Sequence, residues 1–533
     1  MSSIGIDLGT TNSAASTLIG DREEILDIEG DRTIRSVVSF EPGDNEVIVG
    51  NMAADLMERH PDLTVSSIKR HMVDDDYTVT IDDDSYEMTE YAPEEISALV
   101  LKKVLAGAEG SLGEEPDGAV ITVPADFPEN ARAATRRAGE LAGVDVLRLL
   151  PEPSAACVAY GLRDRDEDIE RVAVYDLGGG TFDISLVDVA HEDGFYDVVA
   201  TEGEQELGGD DFDEALAEWI AEQIEDETGA DVTEDRGTYL QLKGRAKEIK
   251  EQLSSRNTAT FRDSGTLSGE NVDIDISREQ FEEITGHLVD RTIEFSETAL
   301  ESQDMSPEDV DTVLLVGGST KIPAVKQAVE EFFGQEPSQE VNPDEAVAIG
   351  AGVFADSIDP KKALEGDEDD EDRSGLPSDV RVSNVVPDDL GIELASGKID
   401  TIIESNSNLP TMERKEREYT TVEDNQTRAL IKLYQGEGDT VDDGDLELKT
   451  EFVLENIREA PANEPEITVQ VKLDEDGVLS AHAWDESVVG SEVIDPGDAD
   501  GVADGEAHID MTPSGDEDKL SVEEIRALLP EIA

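Results

Sequence analysis

The chain has 533 residues, enough for more than one domain, and 37% of them are hydrophobic, which is ordinary core material. Its formal net charge of −89 argues against a nucleic-acid partner, because a phosphate backbone would be repelled. Cys157 is the only cysteine, which rules out an intramolecular disulfide and fits a reducing cytoplasm.

No apolar run approaches the ~20 residues needed to span a bilayer. The opening MSSIGIDLGTTNS has neither the basic region nor the apolar core of a signal peptide. A charge this large can mean disorder. Here, however, apolar residues recur at strand and helix periods between the acids. The better reading is a folded, halophilic protein whose acidic surface is screened in molar salt, where the Debye length is about 3 Å.

In chain order, residues 1–357 alternate short apolar strand-like runs with helical stretches, a pattern that predicts an α/β architecture. The first run, IGIDLGTTNSAAST from Ile4, is a strand ending in Asp7-Leu8-Gly9, a turn carrying Thr10, Thr11 and Asn12, and a second alternating run. Val120–Val123 predicts a strand, and the helix after it is expected to begin near Pro128, a residue suited to a first turn. From Val174 the string VYDLGGGTFDISLV repeats the first pattern, with Asp176, Gly178, Gly179, Gly180 and Thr181. Val313–Val316 leads through Gly317-Gly318-Ser319-Thr320 into an amphipathic helix.

Residues 358–385 read as an acidic interdomain linker, since GDEDDEDRSG cannot build a core. Residues 386–510 change to short strands with turn signals, and Asp476-Gly477 reads as a hairpin turn. This second domain is predicted to be an all-β sandwich. Residues 511–533 read as a short helical tail, with Ser521 and Glu524 at capping-box spacing and a stripe of Ile525, Leu528 and Leu529.

The repeated turn suits a triphosphate. Glycines let backbone N–H groups approach phosphate oxygens with no Cβ in the way. Thr10, Thr11 and Thr181 add hydroxyl donors, while Asp7 and Asp176 end their strands on the same side and can hold Mg²⁺ through water. One such turn could be a plain hairpin; two copies imply two similar lobes gripping one nucleotide. The Gly317–Thr320 turn would admit a flat adenosine, although alone it would be an ordinary strand-to-helix turn.

These residues carry a family likeness. GIDLGTTNS, SIKR at Ser67–Arg70, ITVPADF, EPSAACVAYGL, VYDLGGGTFDIS, LGGDDFD, LLVGGST, VNPDEAVAIGA, LGIE and EDNQ follow one another in order. Through them the chain resembles the seventy-kilodalton heat-shock chaperones of the bacterial DnaK type over nearly its whole length. The resemblance implies a two-lobed actin-like ATPase domain followed by a β-sandwich that binds extended apolar peptide segments. It implies an ATP-hydrolysing, cytoplasmic stress-response chaperone using ATP/ADP, Mg²⁺ and K⁺. The implied partners are unfolded polypeptides, a J-domain co-chaperone and a nucleotide exchange factor, with no membrane.

The resemblance also implies roles for individual residues. Lys69 corresponds to the lysine that supports attack of water on the γ-phosphate. Asp7, Glu152, Asp176, Thr181 and Asp183 correspond to the Mg²⁺ and water-positioning set. Gly9, Thr10, Thr11, Asn12, Gly178–Gly180 and Gly317–Ser319 correspond to phosphate and nucleoside loops, and Asp344 to an acid near the adenosine. In QLKGRAKEIKEQLSS, Lys250 and Ser254 fall at the adenosine clamp, and Lys247 replaces an acid usual in the family. A one-turn shift of register would recruit other residues. Pro124 and Arg132 correspond to a pair that reports nucleotide state to the second domain. Ile392, Ala395, Tyr419, Val422, Ala429 and Ile431 fall around the peptide site, or simply fill a sandwich core.

Several positions depart from the family. Arg381 and Ser383 interrupt the apolar linker, Asn384 replaces an aspartate, and Pro151 replaces a polar residue, while Arg148 is kept. Interdomain coupling is therefore expected to be weaker or differently wired. The family's helical lid is on the order of a hundred residues, of which about twelve helical residues are expected here. Two other readings compete: a nucleotide-gated scaffold or co-chaperone with weak cycling, and a small-molecule kinase on the same fold.

Overall fold

The computed structural model describes residues 3–19, 22–42, 46–57, 59–74, 76–82, 90–161, 170–190, 194–338, 342–358, 381–386, 388–436, 438, 440–441, 446–455, 457–474, 476–485, 506–510 and 531–532. The chain divides into two units. One takes in Met1–Asp126, Thr135–Val382 and Val522–Ala533; the other takes in Phe127–Ala134 and Ser383–Ser521.

The first unit contains the repeat read from the sequence. Ser3–Leu8 turns back antiparallel onto Asn12–Ile19, which pairs with Arg22–Ile25. On its other edge Ser3–Leu8 lies parallel to Gly118–Val123, and that strand lies parallel to Val146–Pro151. The second sheet repeats this plan: Glu170–Leu177, Phe182–Ala190 and Phe195–Glu204 form an antiparallel meander, with Thr312–Val316 parallel on the outer edge. The fully buried pattern of Gly118–Val123, and that of Glu170–Leu177 apart from half-buried Arg171, match strands covered on both faces. Arg381–Ser383 is the far edge strand of the second sheet, so the interrupted apolar run still forms a strand.

Helix Ala346–Ser357 seals the first sheet by close approach. A Cβ at Gly352 would stand 2.1 Å from Ser16 Oγ, and one at Gly350 would stand 1.7 Å from the Ala155 carbonyl. The apparent excess of small residues in VNPDEAVAIGA is thus a packing requirement. Pro128 immediately precedes helix Glu129–Ala142, and its carbonyl accepts from Arg132 N at 3.1 Å.

The second unit has two antiparallel four-stranded sheets. One runs Ile399–Ile403, Leu390–Glu393, Arg428–Gln435, Glu447–Glu455; the other runs Thr411–Tyr419, Ile467–Leu473, Leu479–Asp485, Glu506–Asp510. Both contribute to one core that includes Ile392, Leu433 and Leu454 from the first and Val469, Val471 and Ala481 from the second. This is a sandwich. The hairpin at Asp476-Gly477 is longer than a two-residue turn: Leu473 pairs with Leu479, and Gly477 takes φ 76°.

The predicted helix at Ser521–Leu529 lies outside the described residues. The end of that segment, Glu531–Ile532, is a strand rather than helix, paired parallel to Glu46–Val47. Two residues in register with an exposed sheet edge can extend it whatever the helical pattern before them.

Candidate active site

A cleft of about 570 Å³ opens between the two sheets of the first unit. Asp7, Gly9, Thr10, Thr11 and Asn12 line it from the first turn, and Asp176, Gly178, Gly179 and Thr181 from the second. The two turns interlock: a Cβ at Gly179 would lie 1.9 Å from Thr11 Oγ1, and one at Gly180 would lie 2.7 Å from Thr10 Cγ2. Only glycine allows this approach.

Lys69 sits on a short 3₁₀ turn, Ile68–His71, entered through Ser67 at φ 54°. Its ammonium is 2.5 Å from Glu152 Oε1, at the first residue of helix Glu152–Gly161. Neighbouring contacts fix the turn across the cleft. Ser67 Oγ donates to Asp210, and Arg70 donates to the Gly180 carbonyl at 2.8 Å and to Asp211. The SIKR and LGGDDFD strings are therefore two halves of one contact.

Burial and the nearby Glu152 push the Asp7 carboxyl up to about 7, against the opposing pull of Lys69. Burial, then Glu152 and Asp7, hold Asp176 well above the usual carboxylate range. Asp176 Oδ2 is buried with no hydrogen-bond partner. A group of three acids facing one cation at this depth, with an orphaned oxygen, fits a further cation.

Another part of the cleft wall is built from helix Arg236–Ser255 and the Gly317 turn. Lys250 Nζ donates to the Gly209 carbonyl at 2.7 Å and lies 2.8 Å from Asp213, while Ser254 Oγ caps the Lys250 carbonyl at 3.0 Å. Ser319 Oγ donates to the Gly178 carbonyl at 2.7 Å, joining this part to the second turn. Gly317 takes φ 82° and Lys321 pairs with Asp344. Lys250, Ser254, Gly317, Gly318, Ser319 and Asp344 all line the cleft.

Two residues of the predicted set lie behind the wall. Asp183 is 2% exposed and accepts from Asp126 N at 3.3 Å; burial, then Asp126, raises its carboxyl. Gly180 turns its carbonyl to Arg70. Asp31, Arg32, Thr33, Arg35 and Asn51, absent from the expected set, also line the cleft. Arg32 makes a bidentate pair with Glu345 at 2.6 and 2.8 Å, and Arg35 lies 3.8 Å from Glu251. The string DRTIRS lacks the Asp-Leu-Gly signature of the two turns, so nothing local marked it.

A sequence model of a known family, described as Hsp70 protein, matches residues 3–512. The chain belongs to the Hsp70 family. Two curated relatives, each called "Chaperone protein DnaK" and found in Halobacterium salinarum strains R1 and NRC-1, are 43% identical over 499 residues. Each match covers 92% of this chain and 74% of the relative. Within this Hsp70 chain the residues read for peptide contact divide. Ile392 and Ile431 are buried in the sandwich core, Tyr419 donates to Asp400 at 2.7 Å, and Ala395 and Val422 face solvent. No described helix is long and apolar enough to cross a membrane.

Proposed function

We propose that this chain is an ATP-dependent molecular chaperone, with ATP hydrolysis in the cleft of residues 1–357 and an extended apolar peptide as the client of residues 386–510. The observation that carries the reading is Lys69, whose buried ammonium is held by Glu152 in a cleft walled by two copies of one glycine turn. A positive charge fixed in that position offsets the charge that develops on the transferred phosphoryl group.

Asp7 and Asp176 would hold Mg²⁺ through water, and the partnerless Asp176 Oδ2 supports that fit. When bound, the ion supplies charge neutralisation at the phosphate oxygens. Thr10, Thr11 and the Gly178-Gly179 backbone receive the phosphates, with Gly180 tied to Arg70 behind them. Glu152 and Thr181 orient the attacking water, with Asp183 as a positioning residue behind Thr181. Lys250, Ser254, Gly317–Ser319 and Asp344 hold the nucleoside. K⁺ as a second cation, a J-domain co-chaperone, an exchange factor and a cytoplasmic setting belong to the same proposal, as does signalling through Pro124 and Arg132.

Steady-state ATP hydrolysis in molar KCl, with and without an unfolded polypeptide, tests the reading. Stimulation by the polypeptide is expected. Hydrolysis that ignores the polypeptide would leave a scaffold, and phosphate transfer to a small molecule would leave a kinase.

A further inference from the structure

Six basic side chains line the cleft: Arg32, Arg35, Lys69, Lys247, Lys250 and Lys321. Five have a carboxylate partner: Glu345, Glu251, Glu152, Asp213 and Asp344 respectively for Arg32, Arg35, Lys69, Lys250 and Lys321. Among the described residues Lys247 is the cleft-lining cation without one. The charged groups facing it are Asp210, Asp213, Lys250 and Arg35. Each has a nearer claim: Asp210 on Ser67, Asp213 on Lys250, Arg35 on Glu251. Burial holds the Lys247 ammonium below the usual lysine range, with Asp210 and Asp213 opposing from a distance.

The position on the helix says what Lys247 faces. Lys247, Lys250, Glu251 and Ser254 follow at i, i+3, i+4 and i+7 along Arg236–Ser255, and all four line the cleft. Lys250 and Ser254 on this stripe belong to the nucleoside end proposed above, which Lys250 joins to the second turn through Gly209. A desolvated ammonium with no partner is costly unless a ligand supplies an acceptor. An acid at this position, as in the family likeness, would repel an anion there; a lysine attracts one.

We propose that Lys247 is a specificity-determining residue that binds an anionic substituent on the sugar of the bound nucleotide. The cleft then takes nucleotides phosphorylated on a sugar hydroxyl and prefers them to the unsubstituted form. The inference rests on reading the cleft as the nucleotide site.

Displacement of a fluorescent ADP analogue from the full chain in molar KCl tests it, with ADP, AMP, adenosine 2′,5′-bisphosphate and adenosine 3′,5′-bisphosphate as competitors. At least one bisphosphate should bind about tenfold more tightly than AMP, the scale of one charge-assisted hydrogen bond. Lys247→Met should abolish the preference, while Lys247→Glu should reverse it. Thermal unfolding of each variant in the same buffer checks that it folds. If neither bisphosphate exceeds AMP, or the preference survives in Lys247→Met, the proposal is overturned while the cleft stands. If ADP itself fails to displace the probe, the cleft reading falls instead.

Discussion

Lys69 is 4% exposed, and its ammonium is spent on Glu152 rather than on solvent. A cation held in this way needs no reorganisation when charge builds on the phosphoryl group. Lys69→Ala should therefore raise the hydrolysis barrier by about 2–4 kcal/mol while ATP still binds. Single-turnover hydrolysis beside equilibrium ATP binding separates the two effects, and an unchanged turnover rate would remove Lys69 from the mechanism. The two Asp-Leu-Gly turns that wall the cleft could be read before folding, because each is local in the chain, whereas the Lys69–Glu152 pair joins residues 83 positions apart. Asp7-Leu8-Gly9 and Asp176-Leu177-Gly178 announce themselves by composition. Arg32, Arg35 and the loneliness of Lys247 could not be read, since each depends on partners more than two hundred positions away or on what those partners already hold.

Among the elements, the hairpin of Thr258–Ser264 and Asn271–Ser277 hangs on one carboxylate. Asp263 accepts from Thr266 N at 2.9 Å, Thr266 Oγ1 at 2.6 Å, and the amides of Leu267 and Ser268 at 3.2 Å each. Asp263→Ala removes the charged acceptor shared by these part-buried donors and should destabilise the first unit by about 1–3 kcal/mol. Denaturant unfolding in molar KCl measures it; a midpoint equal to that of the unsubstituted chain would contradict the assignment. Element type was legible wherever periodicity was clean, as in Val120–Val123 and the alternating Arg428–Gln435 strand. It failed where an edge decides. Arg381–Ser383 is polar at two of three positions yet is a strand, because an edge strand satisfies its backbone on a neighbour and needs little side-chain burial. Likewise Ile392 and Ile431 lie on the inward side of their strands, and register rather than residue type consigns them to the core.

On the whole molecule the surface and the cleft differ in charge. Acids outnumber bases 130 to 41 along the chain, whereas the cleft is lined by seven acids and six bases. Self-repulsion among the excess acids weakens the compact state in dilute buffer. Thermal unfolding should accordingly move to higher temperature between dilute buffer and molar KCl; an unchanged midpoint would remove the halophilic reading. The same field acts on an approaching nucleotide polyanion. ATP association should speed up as KCl is raised through the range where the fold is intact, opposite to the usual loss of electrostatic steering. Stopped-flow binding measures it, and a rate that falls with salt would show that the local balance of the cleft outweighs the surface. The pairing of Glu531–Ile532 with Glu46–Val47 bears on biosynthesis. Nearly the entire polypeptide separates the two strands, so on the ribosome Glu46–Val49 waits with one side open until residue 532 has been made. During that interval the nascent protein presents a bare edge to its neighbours on the polysome, and intermolecular strand exchange there is the misassembly this topology invites.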